Sequence, residues 1–288
     1  MDAMTRIERA LVAALATTEA GAPPRLAAAL RHAVFPRGAR VRPRLCLAVA
    51  QACGEDDPAI TDAAAIAIEL LHCASLVHDD MPCFDDADTR RGRPSVHRAF
   101  GEPLALLAGD ALIVLAFQGL ARSAARCPAR LAPVLLTVAQ SVGMPFGIVA
   151  GQAWECEPDP DLGRYQRAKT GELFAAATVA GAAAAGQDGE PWRLVGERLG
   201  EAYQVADDIL DATADAAAAG KPVGQDLALG RPSAASQMGI PGAVAHLESL
   251  AAAAAAAIPP CAGAAELRAL MHSEARRLVP KGIAAQAA

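Results

Sequence analysis

The chain has 288 residues and a formal net charge of −6, so it lacks the strongly basic balance that nucleic-acid-binding domains normally show. Hydrophobic residues make up 53% of it and aromatic residues only 3%, and its alanine-rich tracts favour helices over strands, which predicts an all-α protein. The longest apolar run, residues 104–120, is interrupted by Gly109 and Asp110, so we expect no membrane span.

Glycine and proline residues divide the chain into helical blocks of ordinary length, and no stretch reads as an interdomain linker. The first ten residues mix charged and apolar side chains and lack the apolar core of a signal peptide. The seven cysteines form no Cys-x-x-Cys pair and fit reduced core residues. We therefore expect a cytoplasmic protein with a single domain over residues 1–288.

The helix predicted over residues 61–78 carries a polar stripe that leads into a first acidic cluster. One face of it, at intervals of four, three and four residues, holds Ile68, His72, Ser75 and Asp79. The cluster reads Asp79-Asp80-Met81-Pro82-Cys83-Phe84-Asp85-Asp86. Carboxylates this dense repel one another at the negative end of a helix, and Mg²⁺ with phosphate oxygens is a natural partner for them. Arg90 and Arg91 follow and offer guanidinium groups to the same phosphate.

A second acidic cluster lies in the helix predicted over residues 201–214. It reads Asp207-Asp208-Ile209-Leu210-Asp211, and the spacing of four puts Asp207 and Asp211 on one face, with Gln204 one turn earlier. A lone acidic pair is more often a solvated loop after a helix. Two such clusters can clamp one metal-diphosphate from opposite sides.

With both clusters in place, the sequence resembles the trans-prenyltransferase (polyprenyl synthetase) family over nearly its whole length. Residues 79–91 match the first acidic motif with its paired arginines, and residues 203–211 match the second. Between and after them, in the family's order, stand Gly151-Gln152, Lys169-Thr170-Gly171 and Gly220-Lys221-Pro222-Val223-Gly224-Gln225-Asp226. The resemblance implies the isoprenoid synthase fold, with helices around a central apolar cavity and two facing acidic motifs.

The resemblance also implies roles for individual residues. The metal ligands would be Asp79, Asp85 and Asp207, with Asp80, Asp86, Asp208 and Asp211 supporting them or binding metal through water. The residues matching the allylic diphosphate site are Arg90, Lys169, Thr170, Gln204 and Lys221, and those matching the isopentenyl diphosphate site are Arg42, His72 and Arg91. The carboxylates Asp79, Asp80, Asp85 and Asp207 with Lys169 and Lys221 would form the catalytic set. The implied cofactor is Mg²⁺, three ions with the allylic diphosphate bound and Mn²⁺ as a substitute, and the implied assembly is a homodimer.

Two positions depart from the family pattern. The usual Gly-Gly-Lys-Arg-x-Arg-Pro signature reads Arg37-Gly38-Ala39-Arg40-Val41-Arg42-Pro43, so Ala39 stands where a lysine normally contacts isopentenyl diphosphate. Arg37 and Arg40 are candidates to replace that charge. A later lysine position is occupied by Arg231, which keeps the charge. The surrounding run resembles the branch of the family found in carotenoid-producing photosynthetic bacteria, which implies a role in carotenoid biosynthesis.

The implied reaction is ionisation of an allylic diphosphate followed by attack of the isopentenyl double bond. The nearest enzyme of another class, a class I terpene cyclase, also begins from an acidic metal site but needs a single diphosphate pocket. A non-catalytic partner subunit of a prenyl synthase would be expected to lose one acidic motif, and this chain keeps both.

The product length is expected to depend on the helix beneath the first acidic cluster. Each added five-carbon unit gains roughly 4 kcal/mol from burial of the prenyl chain, so weaker binding cannot end its elongation. Bulky side chains at the bottom of the cavity, a steric floor, must therefore stop it. In farnesyl-forming bacterial relatives the position five before the first aspartate is typically aromatic, and here it is Ala74, with Ser75 beside it. The candidate floor residues are Leu71, Ile68 and Phe117. We therefore expect geranylgeranyl diphosphate as the product, with farnesyl diphosphate as the alternative.

Overall fold

The computed structural model describes residues 1–35, 38–123, 127–213 and 233–278. The regular secondary structure of this part of the chain is helical apart from one β-ladder with two residues in each strand, which confirms the all-α prediction. The helices are α1 (Ala3–Ala16), α2 (Pro24–Val34), α3 (Val41–Ala52), α4 (Pro58–Asp79), α5 (Val96–Phe100), α6 (Glu102–Ser123), α7 (Pro128–Val142), α8 (Ile148–Trp154), α9 (Leu162–Gln166), α10 (Glu172–Ala184), α11 (Arg193–Thr213), α12 (Ala234–Ala256) and α13 (Ala264–Leu278). A π-helical turn, Arg167–Gly171, joins α9 to α10, and a 3₁₀ turn, Glu190–Trp192, precedes α11.

The central helix of the bundle is α10. Every residue from Leu173 to Ala184 is buried, and the helix packs against α3, α4, α7 and α11. A helix that is apolar on all sides belongs in a core, and its alanines allow neighbouring helices to approach closely. The bundle therefore surrounds α10, with α4 and α11 as two of its neighbours.

Helix α4 carries the polar stripe to the edge of the bundle. It begins with Pro58 in its first turn and with Asp57 as its N-cap, whose carboxylate accepts a hydrogen bond from the amide of Ala59 at 3.0 Å. The helix packs against α3 and α6 and ends at Asp79, one residue beyond the predicted end. The apolar face therefore lies in the core while the first acidic cluster starts where the helix leaves it.

The loop after α4 folds back onto the end of that helix. The amide of Asp85 donates to the carbonyl of Asp79 at 2.9 Å, and the amide of Ala87 donates to the carbonyl of Asp80 at 3.1 Å. Strands β1 (Thr89–Arg90) and β2 (Arg93–Pro94) then pair antiparallel, with Arg90 opposite Arg93. This hairpin turns Arg90 back toward the acidic cluster.

The second acidic cluster lies near the end of α11, which packs against α10 on one side and α12 on the other. Helix α12 begins with a capping box in which Ser233 and Ser236 bond each other's backbone amides. The predicted site residues Lys221 and Arg231 lie outside the described residues.

Within the described part of the chain, two helices, α4 and α6, are long and apolar enough to cross a bilayer by length and composition, a test that core helices of globular proteins also pass. The most apolar window of α4 is 72% buried inside the bundle and that of α6 is 39% buried. Helix α4 is therefore a core helix of this fold. Helix α6 has an exposed apolar face that includes Leu106, Leu107 and Val114.

Candidate active site

The first acidic cluster contains two buried and two exposed carboxylates. Asp79 and Asp80 are buried, and burial raises the pKa of each above its usual value, although Lys169 and Arg90 respectively oppose the shift. Nε and Nη2 of Arg90 both donate to the carboxylate of Asp80. Asp85 and Asp86 are exposed. Arg90, which the sequence predicts to bind phosphate, thus forms an ion pair with the carboxylate of Asp80 in this structure.

Asp79 is held by side chains from two other elements. Nε2 of Gln152, on α8, donates to Oδ1 of Asp79 at 2.9 Å, and Nζ of Lys169, on the π-helical turn, lies 3.6 Å from Oδ2. Lys169 also donates to Oε1 of Glu155 at 2.6 Å. Burial opposes the ammonium charge of Lys169, but the two carboxylates outweigh it and raise its pKa. The sequence predicted Lys169 as part of the allylic diphosphate site, and the structure places it beside Asp79. The sequence analysis missed Glu155, because a single glutamate forms no recognisable motif.

The π-helical turn also connects to the second acidic cluster. Oγ1 of Thr170 donates to Oε1 of Gln204 at 3.2 Å, and Nε2 of Gln204 donates to Oδ1 of Asp208 at 3.0 Å. The other oxygen of Asp208 accepts the amide of Ala234 at 2.8 Å and so fixes the start of α12. The turn therefore touches Asp79 through Lys169 and α11 through Thr170, which places it between the two acidic clusters.

The remaining carboxylates of the second cluster, Asp207 and Asp211, are half-buried on α11, one helical turn apart. Within the described ranges, no group of three or more His, Cys, Asp and Glu side chains already has the geometry to hold a metal ion. This donor set fits Mg²⁺, which takes one or two carboxylates together with water and phosphate oxygens and does not need an all-protein cage. The residues that would hold it are the carboxylates of the two clusters.

A second group of cations lies against α4, α10 and α11. Arg42 is buried, its Cζ lies 4.5 Å from the centre of the Phe174 ring and 5.8 Å from that of Tyr203, and its Nη1 lies 3.5 Å from Nε2 of His72. Burial, reinforced by Arg42 and Arg91, lowers the pKa of His72 well below its usual value, so the imidazole is neutral at neutral pH. Nε of Arg42 has no hydrogen-bond partner among the described residues.

Arg91 lies beside the loop that carries the departure at Ala39. A Cβ on Gly38 would come within 2.7 Å of Cζ of Arg91, so the guanidinium rests on the bare backbone of this glycine. Arg42 contacts His72 directly, and the positive charge of Arg91, like those of Arg90 and Arg40, contributes to lowering the pKa of this imidazole. Of the three residues that match the isopentenyl diphosphate site, Arg42 and His72 are in contact, and Arg91 lies beside Gly38.

Arg40 does not join this group, and its expected role as a replacement charge is wrong. Its guanidinium is fully buried and paired with Glu69 at 2.5 Å and Glu8 at 3.0 Å, and it also donates to the carbonyl of Val34 at 2.8 Å. A fully buried guanidinium whose charge is balanced by two carboxylates is not accessible to a substrate phosphate. The other candidate, Arg37, lies outside the described residues.

The candidate product-length residues lie along α4 and on α6. Ala74, Leu71 and Ile68 are buried in the main core cluster, and Phe117 packs against it half-buried. Ser75 is half-buried, and its carbonyl accepts a hydrogen bond from Nε2 of Gln152 at 3.1 Å. Ala74 and Ser75 therefore lie one turn below Asp79 on the core side of the acidic cluster, without a bulky side chain at either position.

Comparisons with known proteins agree with this arrangement. A family model described as polyprenyl synthetase matches residues 23–251. The chain is 54% identical to the geranylgeranyl diphosphate synthase of Cereibacter sphaeroides, over 98% of each chain. It is 53% identical to the enzyme of the same name from Rhodobacter capsulatus, over 95% of each. A crystal structure of a geranyltransferase from Helicobacter pylori, complexed with magnesium and isoprenyl diphosphate, superimposes with a TM-score of 0.76 at 28% identity, covering 88% of this chain and 89% of that one. The chain belongs to the polyprenyl synthetase family.

Proposed function

We propose that this protein is a magnesium-dependent geranylgeranyl diphosphate synthase, which condenses isopentenyl diphosphate with an allylic diphosphate. The observation that carries the proposal is identity above 50% to two enzymes of that name over at least 95% of each chain. Two acidic clusters joined by a lysine-bearing turn, with a separate group of cations nearby, support it. The product would supply carotenoid biosynthesis, in the cytoplasm.

The allylic diphosphate would lie between the acidic clusters. Asp79, Asp85, Asp207 and Asp211 would hold Mg²⁺, which when bound neutralises the charge that develops on the departing diphosphate. Lys169, Thr170 and Gln204 would donate to the same group from the π-helical turn and α11, with Lys221 and Arg231 completing the cation set. Nη1 of Arg90 would donate to phosphate, while Nε and Nη2 of the same residue donate to the carboxylate of Asp80.

Isopentenyl diphosphate would bind at Arg42, His72 and Arg91. The neutral His72 imidazole can donate one hydrogen bond without adding a charge, and Arg42 presents donors already desolvated by the Phe174 and Tyr203 rings. Departure of diphosphate from the allylic substrate leaves an allylic carbocation, which the isopentenyl double bond attacks. The proton released in that step would pass to the departing diphosphate, so no side-chain base is required.

The decisive experiment is incubation of the purified protein with labelled isopentenyl diphosphate and each allylic primer, with Mg²⁺ and with EDTA. We expect a twenty-carbon product that requires the metal. Asp79→Ala and Asp207→Ala should each lower kcat by about a hundredfold or more, as removal of one preorganised charge-stabilising group typically does. A fifteen-carbon product would move the assignment to a farnesyl diphosphate synthase, and turnover in EDTA would contradict the metal-dependent mechanism.

The same assay separates the two other classes. A class I terpene cyclase would release hydrocarbon from an allylic diphosphate without isopentenyl diphosphate, and it would not need the second cation group at Arg42, His72 and Arg91. A non-catalytic partner subunit would show no turnover alone. Retention of both acidic clusters and of the second cation group favours the synthase.

We also propose a homodimer built from one domain over residues 1–288. Exposed apolar side chains lie on α6 and α7, which pack against each other, and in the segment after α7; they include Leu106, Leu107, Val114, Leu136 and Phe146. An apolar face of this kind on two adjacent helices suits an isologous contact with a second copy. Light scattering at micromolar concentration should give the dimer mass for the wild type and the monomer mass for Val114→Glu. A monomeric wild type would contradict the proposal.

A further inference from the structure

Lys169 packs against α8 and contacts Glu155, a residue that belongs to none of the motifs quoted above. A Cβ on Gly151 would come within 2.5 Å of the backbone nitrogen of Lys169, so α8 and the π-helical turn touch backbone to backbone. Glu155 is the C-cap of α8 and keeps a helical conformation, so it lies on the same side as Gly151, four residues earlier. Its Oε1 accepts the Lys169 ammonium at 2.6 Å. One side of α8 thus fixes both ends of this lysine.

The carboxylate of Glu155 is itself held in place. The hydroxyl of Tyr165, on α9, donates to the same Oε1 at 2.6 Å, and the Tyr165 ring centre lies 5.7 Å from the Lys169 nitrogen. The side chains of Lys169 and Glu155 are only 23% and 17% exposed, so this contact is shielded from solvent on most sides. A partly buried, charge-assisted hydrogen bond with an oriented acceptor is far stronger than an exposed ion pair.

We infer that Glu155, with Tyr165, is a positioning residue that holds the Lys169 ammonium beside Asp79 for the allylic diphosphate. This inference rests on the proposed function. A lysine has a flexible four-carbon stem and three donors. Glu155 occupies one donor and restricts the stem, which leaves the other donors on the side where Asp79 lies at 3.6 Å. Diphosphate then binds to a lysine that has already lost its rotamer freedom.

The opposite role is also physically possible and gives the opposite result. Glu155 is an anion, so it could compete with diphosphate for Lys169 and weaken binding. In that case its removal would tighten diphosphate binding. A purely structural role would lower the melting temperature and affect both substrates equally.

The test is a double-mutant cycle with Glu155→Gln, Lys169→Met and the double variant, measured by calorimetric binding of inorganic diphosphate with Mg²⁺. We expect Glu155→Gln alone to weaken binding by about tenfold and, in the Lys169→Met background, to change it by less than about twofold, because Glu155 acts through Lys169. Tyr165→Phe should give a smaller loss, of about threefold to fivefold. The matched control is Glu157→Gln, an exposed glutamate two residues further on, which should bind as the wild type does.

Steady-state kinetics provide the second readout. Glu155→Gln should raise the KM for the allylic diphosphate by about tenfold while leaving the KM for isopentenyl diphosphate within about twofold. Additive effects in the cycle, tighter binding by Glu155→Gln, or equal changes in both KM values would overturn the inference. A wild type that binds diphosphate with the expected coupling but makes no prenyl product would instead refute the proposed function.

Discussion

Arg42 shows at the scale of one residue why a charged group is retained in an apolar environment. Its guanidinium lies over the Phe174 ring, and burial lowers its pKa, while its Nε has no hydrogen-bond partner among the described residues. A buried donor without a partner costs stability, and such costs are typical of groups arranged for a ligand. The phosphate of isopentenyl diphosphate is the acceptor that this arrangement fits.

The first prediction at this scale concerns Ala39. Arg40 is committed to Glu69 and Glu8, so it cannot replace the charge that Ala39 lacks. We expect Ala39→Lys to lower the KM for isopentenyl diphosphate by about tenfold with little change in kcat, since a charge-assisted hydrogen bond contributes about 1.5–3 kcal/mol. Steady-state kinetics measure this. An unchanged KM would indicate that Arg37 already supplies the charge.

The second prediction concerns Gly38, where an added Cβ would meet the end of the flexible Arg91 side chain at 2.7 Å. Gly38→Ala should displace the guanidinium and raise the KM for isopentenyl diphosphate by about threefold to tenfold, with an unchanged melting temperature. Gly151→Ala is the contrasting variant, because its Cβ would meet the Lys169 backbone, which cannot move away, and the melting temperature should fall by several degrees. Equal melting temperatures for the two variants would contradict this argument.

At the scale of elements, α4 would carry three functions on successive turns. His72 would bind isopentenyl diphosphate, Ala74 and Ser75 would set product length, and Asp79 would bind metal. Helical periodicity allows this because residues three and four apart share a face while their neighbours point elsewhere. On these proposed roles, α4 would be the element on which substrate binding and product length are coupled.

The prediction that belongs to α4 is a change in product length. We expect Ala74→Tyr to shorten the product from twenty to fifteen carbons without abolishing turnover, because the ring would fill space that the growing chain otherwise enters. Ser75→Tyr is the matched variant, since Ser75 is half-buried whereas Ala74 is buried in the core. Chromatographic sizing of the products measures both. Twenty-carbon product from both variants would exclude this turn of α4 as the steric limit.

At the scale of the whole molecule, the half-buried, neutral His72 links stability to pH. Its pKa in the folded state lies well below the value of about 6.5 expected when the chain unfolds. As the pH decreases, the unfolded state therefore binds the proton at a higher pH than the folded state does. The contribution of His72 to the free energy of unfolding is thus fully present above about pH 6.5 and is lost below it, by at most about 1.4 kcal/mol per pH unit. Denaturant unfolding between about pH 5 and 7.5 should show this slope in the wild type and a smaller one in His72→Gln. Equal slopes would contradict a neutral His72.

Several features of the whole molecule could be predicted from the sequence because they depend on local spacing. The alanine-rich composition predicted an all-α fold, and the intervals between Ile68, His72, Ser75 and Asp79 predicted a helix whose observed end differs by one residue. The order of the motifs predicted the family. Local geometry of this kind needs only the residues within a few turns of one another.

Other features were decided only by tertiary structure. Arg40 and Arg42 are two residues apart, yet Arg40 pairs with Glu8 and Glu69 while Arg42 lies over the Phe174 ring beside His72. Nothing in their local sequence predicts these different partners. The contact between Glu155 and Lys169 depends on the packing of α8 against the π-helical turn, which the sequence alone did not predict. Which charge is neutralised and which remains available depends on partners from distant segments, because desolvation and Coulomb interactions act through space and not along the chain.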